Sequence, residues 1–184
     1  MVSMTVREVL GEGRDAVLER WRDLIRAADG RAGTALPTRG SDPFHDPMGA
    51  ALDKGTAAIL EALLGDGEPE AARPGVDEIV RVRSVQELTP SQALGFVFLL
   101  RRALQDVAGE TGDAADWRPL DARLDTISLQ AFEAYVAFRE KVFDIRVREA
   151  ARANSVLLRR TRLAADSAGP ADSCPTAGSS ERTR

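Results

Sequence analysis

The chain has 184 residues, 43% of them hydrophobic and 29% charged, with a net charge of −4, which predicts one soluble globular domain with a core of its own. The acidic balance argues against a nucleic-acid partner, and a single cysteine, Cys174, excludes a disulfide framework and a cysteine-based metal site. No signal peptide and no apolar run long enough to span a bilayer is present, so a cytoplasmic protein without membrane contact is expected.

Taken in order, Thr5 to Ala28 carries Val6, Val9, Leu10, Val17, Leu18, Trp21, Leu24 and Ile25 at helical spacing, with Gly11 and Gly13 marking a break and Gly30 an end. A Gly-, Pro-, Ser- and Thr-rich loop over 33–43 follows. Asp46 as cap and Pro47 in the first turn then predict a second helix, whose buried stripe is Leu52, Thr56, Ile59, Leu60, Leu63 and Leu64. A polar connection over 65–75 leads to a third helix from about Val76 to Leu88. There Val76, Ile79 and Val80 share a face, with Arg83 projecting between them and Gln86 at its margin.

The fourth helix starts at Thr89-Pro90-Ser91, where a Thr hydroxyl can cap free N–H groups and Pro is tolerated at the first helical position. It runs to about Ala108. Ala93, Leu94, Phe96, Val97, Phe98, Leu99 and Leu100 point to nearly every side, as in a helix at the centre of an all-α domain.

A last helix is predicted from Leu120 to beyond Leu158. Leu124, Ile127, Ala131, Tyr135, Phe138, Val142 and Ile145 form one stripe, and Leu129, Phe132, Val136, Phe143 and Val147 form a second, roughly 140° away by wheel geometry. Two apolar faces need two covers: the domain core, and most simply the same helix in a second copy, which predicts a homodimer. Arg139 and Arg146 sit one heptad apart between the stripes. Residues 1–138 hold 15 basic and 23 acidic side chains, and residues 139–162 hold 8 and 3. That basic segment suits the C-terminal end of a helix dipole, or a docking surface for an acidic partner. Beyond 163 the composition predicts a disordered polar tail.

No catalytic or cofactor motif stands out. His45, the one histidine, lies in a loop and is poorly placed as a haem ligand, and Ser91 is explained by a helix start rather than a nucleophile elbow. No cofactor, no metal and no enzymatic activity are expected. Charges facing apolar surface must find partners, because burying one alone is very costly. Arg83, Arg139 and Arg146 are such charges, and Asp125 is a candidate inward carboxylate. Internal ion pairing that sets helix register is one reading of them, and an anion or partner site the other.

The run IVRVRSVQELTPSQALGFVF, with PFHDPMGAAL before it and RLDTISLQAFEAYVAFREKVFDIRVREAARAN after it, resembles the amino-terminal domain of RsbRD-type regulators, relatives of the RsbR co-antagonists of stressosome signalling. The resemblance covers about residues 5–163. It implies a globin-like, haem-free helical sensor or adaptor domain that dimerises, contacts other signalling proteins and passes signals through its last helix. The alternative is a globin-like carrier or sensor holding a small molecule or haem. Asp46 stands where the family pattern has Asn, and either residue caps a helix. The helix that often leads into an output domain is here followed by a short tail, as in a stand-alone adaptor or in a piece cut from a longer protein.

Overall fold

The apolar runs of the sequence are helical in the computed structural model of the chain, which describes residues 4–31, 47–86 and 88–167. Helix α1 spans Val6–Glu12, α2 Arg14–Arg31, α3 Pro47–Leu64, α4 Arg73–Ser84, α5 Pro90–Ala108 and α6 Ala114–Ser167, with a short 3₁₀ turn at Pro69–Ala72. The described residues contain no strand, so the fold is all-α. The loop at 33–43, His45, the Asp46 cap and Cys174 lie outside the described residues. The chain divides into two units, 1–142 and 143–184, and the core described below belongs to the first.

Each helix boundary has a local cause. Thr5 begins α1 with a reciprocal capping box: its hydroxyl accepts from the Glu8 amide, and its own amide donates to the Glu8 carboxylate at 2.8 Å. The backbone hydrogen bond from Thr5, helped by the Thr5 hydroxyl, holds the Glu8 carboxyl below its ordinary range. That contribution to the helix start is present above the ordinary carboxylate range and is lost as pH falls through the lowered value. Gly13 ends α1, placing the chain break within the predicted first helix. Thr89 and Gln92 form a second capping box at α5, with Pro90 in the first turn.

Three boundaries differ from the sequence expectation. The 65–75 connection is not all loop: it contains the 3₁₀ turn, and α4 already begins at Arg73 with Pro74 in its first turn. Helix α4 stops at Ser84 rather than Leu88, and the Ser84 hydroxyl bonds back to the Val80 carbonyl at 2.6 Å. Helix α6 starts six residues before Leu120, because the Asp113 carboxylate accepts from the amides of Ala115 and Asp116. Pro119 is therefore inside the helix as its sixth residue, past the first turn, where it cannot donate to the Ala115 carbonyl one turn back. The sequence boundary at 163–164 falls within α6, and the residues from 168 onward lie outside the described ones.

The core is assembled from Val6 and Leu10 of α1, Trp21 and Ile25 of α2, Ile59, Leu60 and Leu63 of α3, Val76 and Val80 of α4, Phe96, Leu100 and Leu104 of α5, and Leu124 and Ile127 of α6. Helix α4 packs chiefly on α3, and α2 on α5. The first pair is brought together by glycine. A Cβ added to Gly55 would lie 2.5 Å from Ile79 Cγ1 and 2.8 Å from the Gly75 carbonyl oxygen, and one added to Gly75 would lie 2.8 Å from the Gly55 oxygen. The two backbones therefore touch where neither residue carries a side chain.

The end of α3 is held from two sides by arginine. Arg7 of α1 donates to the carbonyls of Leu64 and Gly65 and pairs with Asp66 at 2.9 Å. Arg123 of α6 donates to the carbonyls of Ala62 and Gly67 at 2.5 and 2.6 Å. The Ala62 and Leu64 carbonyls are among the acceptors that the C-terminus of α3 leaves without an intrahelical donor. Beside this clamp, Gln130 donates to the Pro69 carbonyl at 3.3 Å.

Gly55→Ala tests the α3–α4 contact. Overpacking of about 1–3 kcal/mol is expected to exceed the helix-propensity gain of about 1 kcal/mol, lowering the urea midpoint. Gly11→Ala, where an added Cβ meets nothing within 4 Å, is the matched control and should leave the midpoint unchanged or raise it.

Candidate functional site

Arg83 occupies the last turn of α4 on the face that carries Val76, Ile79 and Val80, so helix geometry drives it inward. It is 3% exposed and meets Asp29 of α2, itself 5% exposed, in a two-pronged ion pair: Nη1 to Asp29 Oδ2 at 2.9 Å and Nη2 to Oδ1 at 2.7 Å. Its remaining bonds reach into the first turn of α5. Nε donates to the Ala93 carbonyl at 3.1 Å and Nη2 to the Gln92 carbonyl at 2.9 Å. A guanidinium has five N–H groups in a rigid fork, and four of them are engaged here.

Asp29 was not anticipated from the sequence, although a signal for it exists. Trp21, Ile25 and Asp29 recur every four residues, which puts a carboxylate on the buried stripe of α2. One turn and two turns from that carboxylate the same stripe makes the α2–α5 contact. The Trp21 indole donates to the Phe96 carbonyl at 2.7 Å, and the two rings stack with centroids 6.5 Å apart. Arg123 was likewise missed, between the buried Leu120 and Leu124 of α6.

The other singled-out residues are not gathered at this pair. Gln86 is half-buried just past α4, where its backbone N–H donates to the Arg83 carbonyl at 3.3 Å. Tyr135 is buried on the inner face of α6. Asp125 is not an inward carboxylate: its side chain is 76% exposed and lies 3.6 Å from Arg101 of α5. The reason is register, since Leu124 and Ile127 take the inward positions and turn Asp125 outward. Arg139 and Arg146 are exposed, so neither is embedded within its unit, and neither makes an ion pair among the described residues.

The two predicted stripes of α6 are described unit by unit. In the first unit Leu124, Ile127, Ala131 and Tyr135 are buried, while Leu129, Phe132 and Val136 are exposed, the first two by 66% and 55%. In the second unit Phe143, Ile145 and Val147 are exposed, so Ile145 does not continue a buried stripe there. The basic residues Arg146, Arg148, Arg152, Arg159 and Arg160 are exposed as well.

Together these features define an all-α domain whose last helix buries one face and leaves an apolar face uncovered. No helix among the described residues is long and apolar enough to cross a membrane. The chain belongs to the family described as the RsbT co-antagonist protein rsbRD N-terminal domain, whose model matches residues 15–151. That is a family of regulatory signalling domains rather than a known enzyme family. No curated protein and no solved structure matches the chain.

The Asp29–Arg83 pair makes a stability prediction. Asp29→Ala leaves a buried guanidinium uncompensated and should cost about 3–5 kcal/mol in urea unfolding. Replacing both partners by apolar residues of similar volume, Asp29→Leu with Arg83→Met, should recover most of that loss. A double variant as unstable as the single one would contradict this reading of the pair.

Proposed function

We propose that the chain is a non-enzymatic sensor or adaptor domain of stressosome-type signalling, which forms a homodimer through α6 and acts by protein–protein contact in the cytoplasm. The observation that carries this reading is the uncovered apolar face of α6. Leu129, Phe132 and Val136 follow helical spacing and stand in solvent within the first unit, opposite side chains that are fully buried. Large apolar side chains grouped on one helix face mark an interaction surface. A second copy of the same helix offers the same chemistry, and a two-fold axis lets one patch serve both protomers.

The family assignment supports the regulatory part of the proposal. The mechanism is a change in how the long helices pack, biased by a ligand or by another signalling protein. Arg139 and Arg146 are assigned to the margin of the interface, where a basic side chain tunes partner choice more than affinity. In the second unit Phe143 and Val147 are exposed as well and are proposed to meet a second copy.

Sedimentation velocity on the full chain is the direct test. The wild-type chain should sediment at twice the chain mass at micromolar concentration. Leu129→Glu combined with Phe132→Glu should sediment as a monomer with unchanged helical circular dichroism, since both positions are exposed in the single chain. A wild-type monomer, or a dimer indifferent to both changes, would end the proposal. Arg139→Ala and Arg146→Ala should shift the dimerisation constant without changing the helical circular dichroism.

A further inference from the structure

Between α2, α4 and α5 lies a cavity of about 270 Å³ that no feature of the dimer proposal uses. Its apolar walls are Ile25 of α2 and Gly95, Phe96 and Leu99 of α5, and the Asp29–Arg83 pair forms its polar part. Ser91 and Gln92, both exposed, stand at its mouth. Gly95 has no counterpart filling the space in front of it: a Cβ placed there would meet nothing within 4 Å. A glycine within a helix costs about 1 kcal/mol relative to alanine, so the open space is not a by-product of the best helix former.

We propose that this cavity binds a small, uncharged, planar aromatic molecule that presents one hydrogen-bond acceptor to Arg83. Charge decides the first property. Asp29 and Arg83 are already paired with each other, so an anion entering the cavity would meet the carboxylate and a cation the guanidinium, and either would compete with a buried pair. The donor inventory decides the second. Arg83 spends Nε, one N–H of Nη1 and both of Nη2 on protein acceptors, which leaves one Nη1 N–H for a ligand.

Size and wall chemistry decide the rest. A dry cavity of about 150 Å³ holds benzene, so this one has room for a fused bicycle of about ten non-hydrogen atoms. Phe96 supplies an aromatic wall, and Gly95 lets a flat ring approach the α5 backbone. The mixture of a mainly apolar lining and a few placed polar groups is that of a small-molecule site. The site does not depend on the dimer, and either proposal can fail without the other.

Quinoline and indole are the probes. Both are fused bicycles of similar size and neutral at pH 7, but quinoline carries a ring-nitrogen acceptor, whereas indole carries only a donor. Titrated into the ¹⁵N-labelled full chain, quinoline should shift the amides of Gly95 and Phe96 saturably, and indole should bind about tenfold more weakly. Gly95→Leu should fill the cavity, abolish the quinoline shifts and keep the helical circular dichroism. If that variant does not fold, Gly95→Ala takes its place and should weaken quinoline at least threefold. Non-saturable shifts, shifts confined to other parts of the chain, indole binding as tightly as quinoline, or a folded Gly95 variant with undiminished affinity would each overturn the site.

Discussion

Asp29 and Arg83 meet where three helix ends converge: the last turns of α2 and α4, and the first turn of α5. Taking two charges out of water costs several kcal/mol per ion, and the pair persists because its geometry and its extra hydrogen bonds repay that cost. Arg83 has two carboxylate oxygens and two carbonyls around it, so its burial leaves little of the fork unsatisfied. It also stands at the C-terminal end of α4, where the helix dipole favours a cation. An apolar pair of the same volume could hold these three helices as firmly, but would not set their register one residue at a time. The contact between Trp21 and Phe96 then inherits that register, because it lies on the same stripe of α2 and only three residues beyond Ala93.

A second use of arginine follows the same logic at the other side of the domain. The carbonyls at the end of α3 would be costly to bury bare, yet α1 and α6 both pass over them. Arg7 and Arg123 bring donors from those two helices and share the Gly65 carbonyl. The end of α3 is thus fixed to the first helix and to the last, while Gly55 and Gly75 let its middle lie against α4. In each case the interior is organised by where backbone polar groups can find partners, and the aliphatic side chains fill what remains.

Which parts of this were legible in the sequence follows from what kind of signal each part sends. Thr89-Pro90 and the apolar run after it define α5 because capping and periodicity are local, and the buried stripes of α3 and of the first half of α6 are equally local. The start of α6 was misplaced because the apolar pattern that marks the helix begins only at Leu120, whereas Asp113 caps a start at Ala114, six residues earlier. Asp125 was misjudged because a position beside an apolar stripe can turn either way, and the choice depends on the roll of α6 against the core. Arg83 could be recognised as a charge on a buried face, but its partner lies 54 residues away in sequence, and no spacing rule reaches that far. The cavity leaves no sequence trace apart from Gly95, since it consists of space that no side chain fills.

If the cavity is occupied, its position bears on how a ligand could reach α6. Helix α5 lines the cavity with Gly95, Phe96 and Leu99, and on its outer side Arg101 pairs with Asp121 of α6 at 2.8 Å. A ligand lodged against α5 therefore stands within two turns of a residue that touches the long helix. Contact alone does not make a relay. Binding shifts α6 only if two arrangements of α5 exist and the ligand prefers one, and the shift cannot exceed that preference. The Arg101 pairs are half-exposed and weak, which suits them to exchange rather than to hold. The Asp29–Arg83 pair is the opposite: it pins the first turn of α5 to α2 and α4. Movement of α5 on ligand binding would therefore pivot about its start, with the largest displacement toward the end that faces α6.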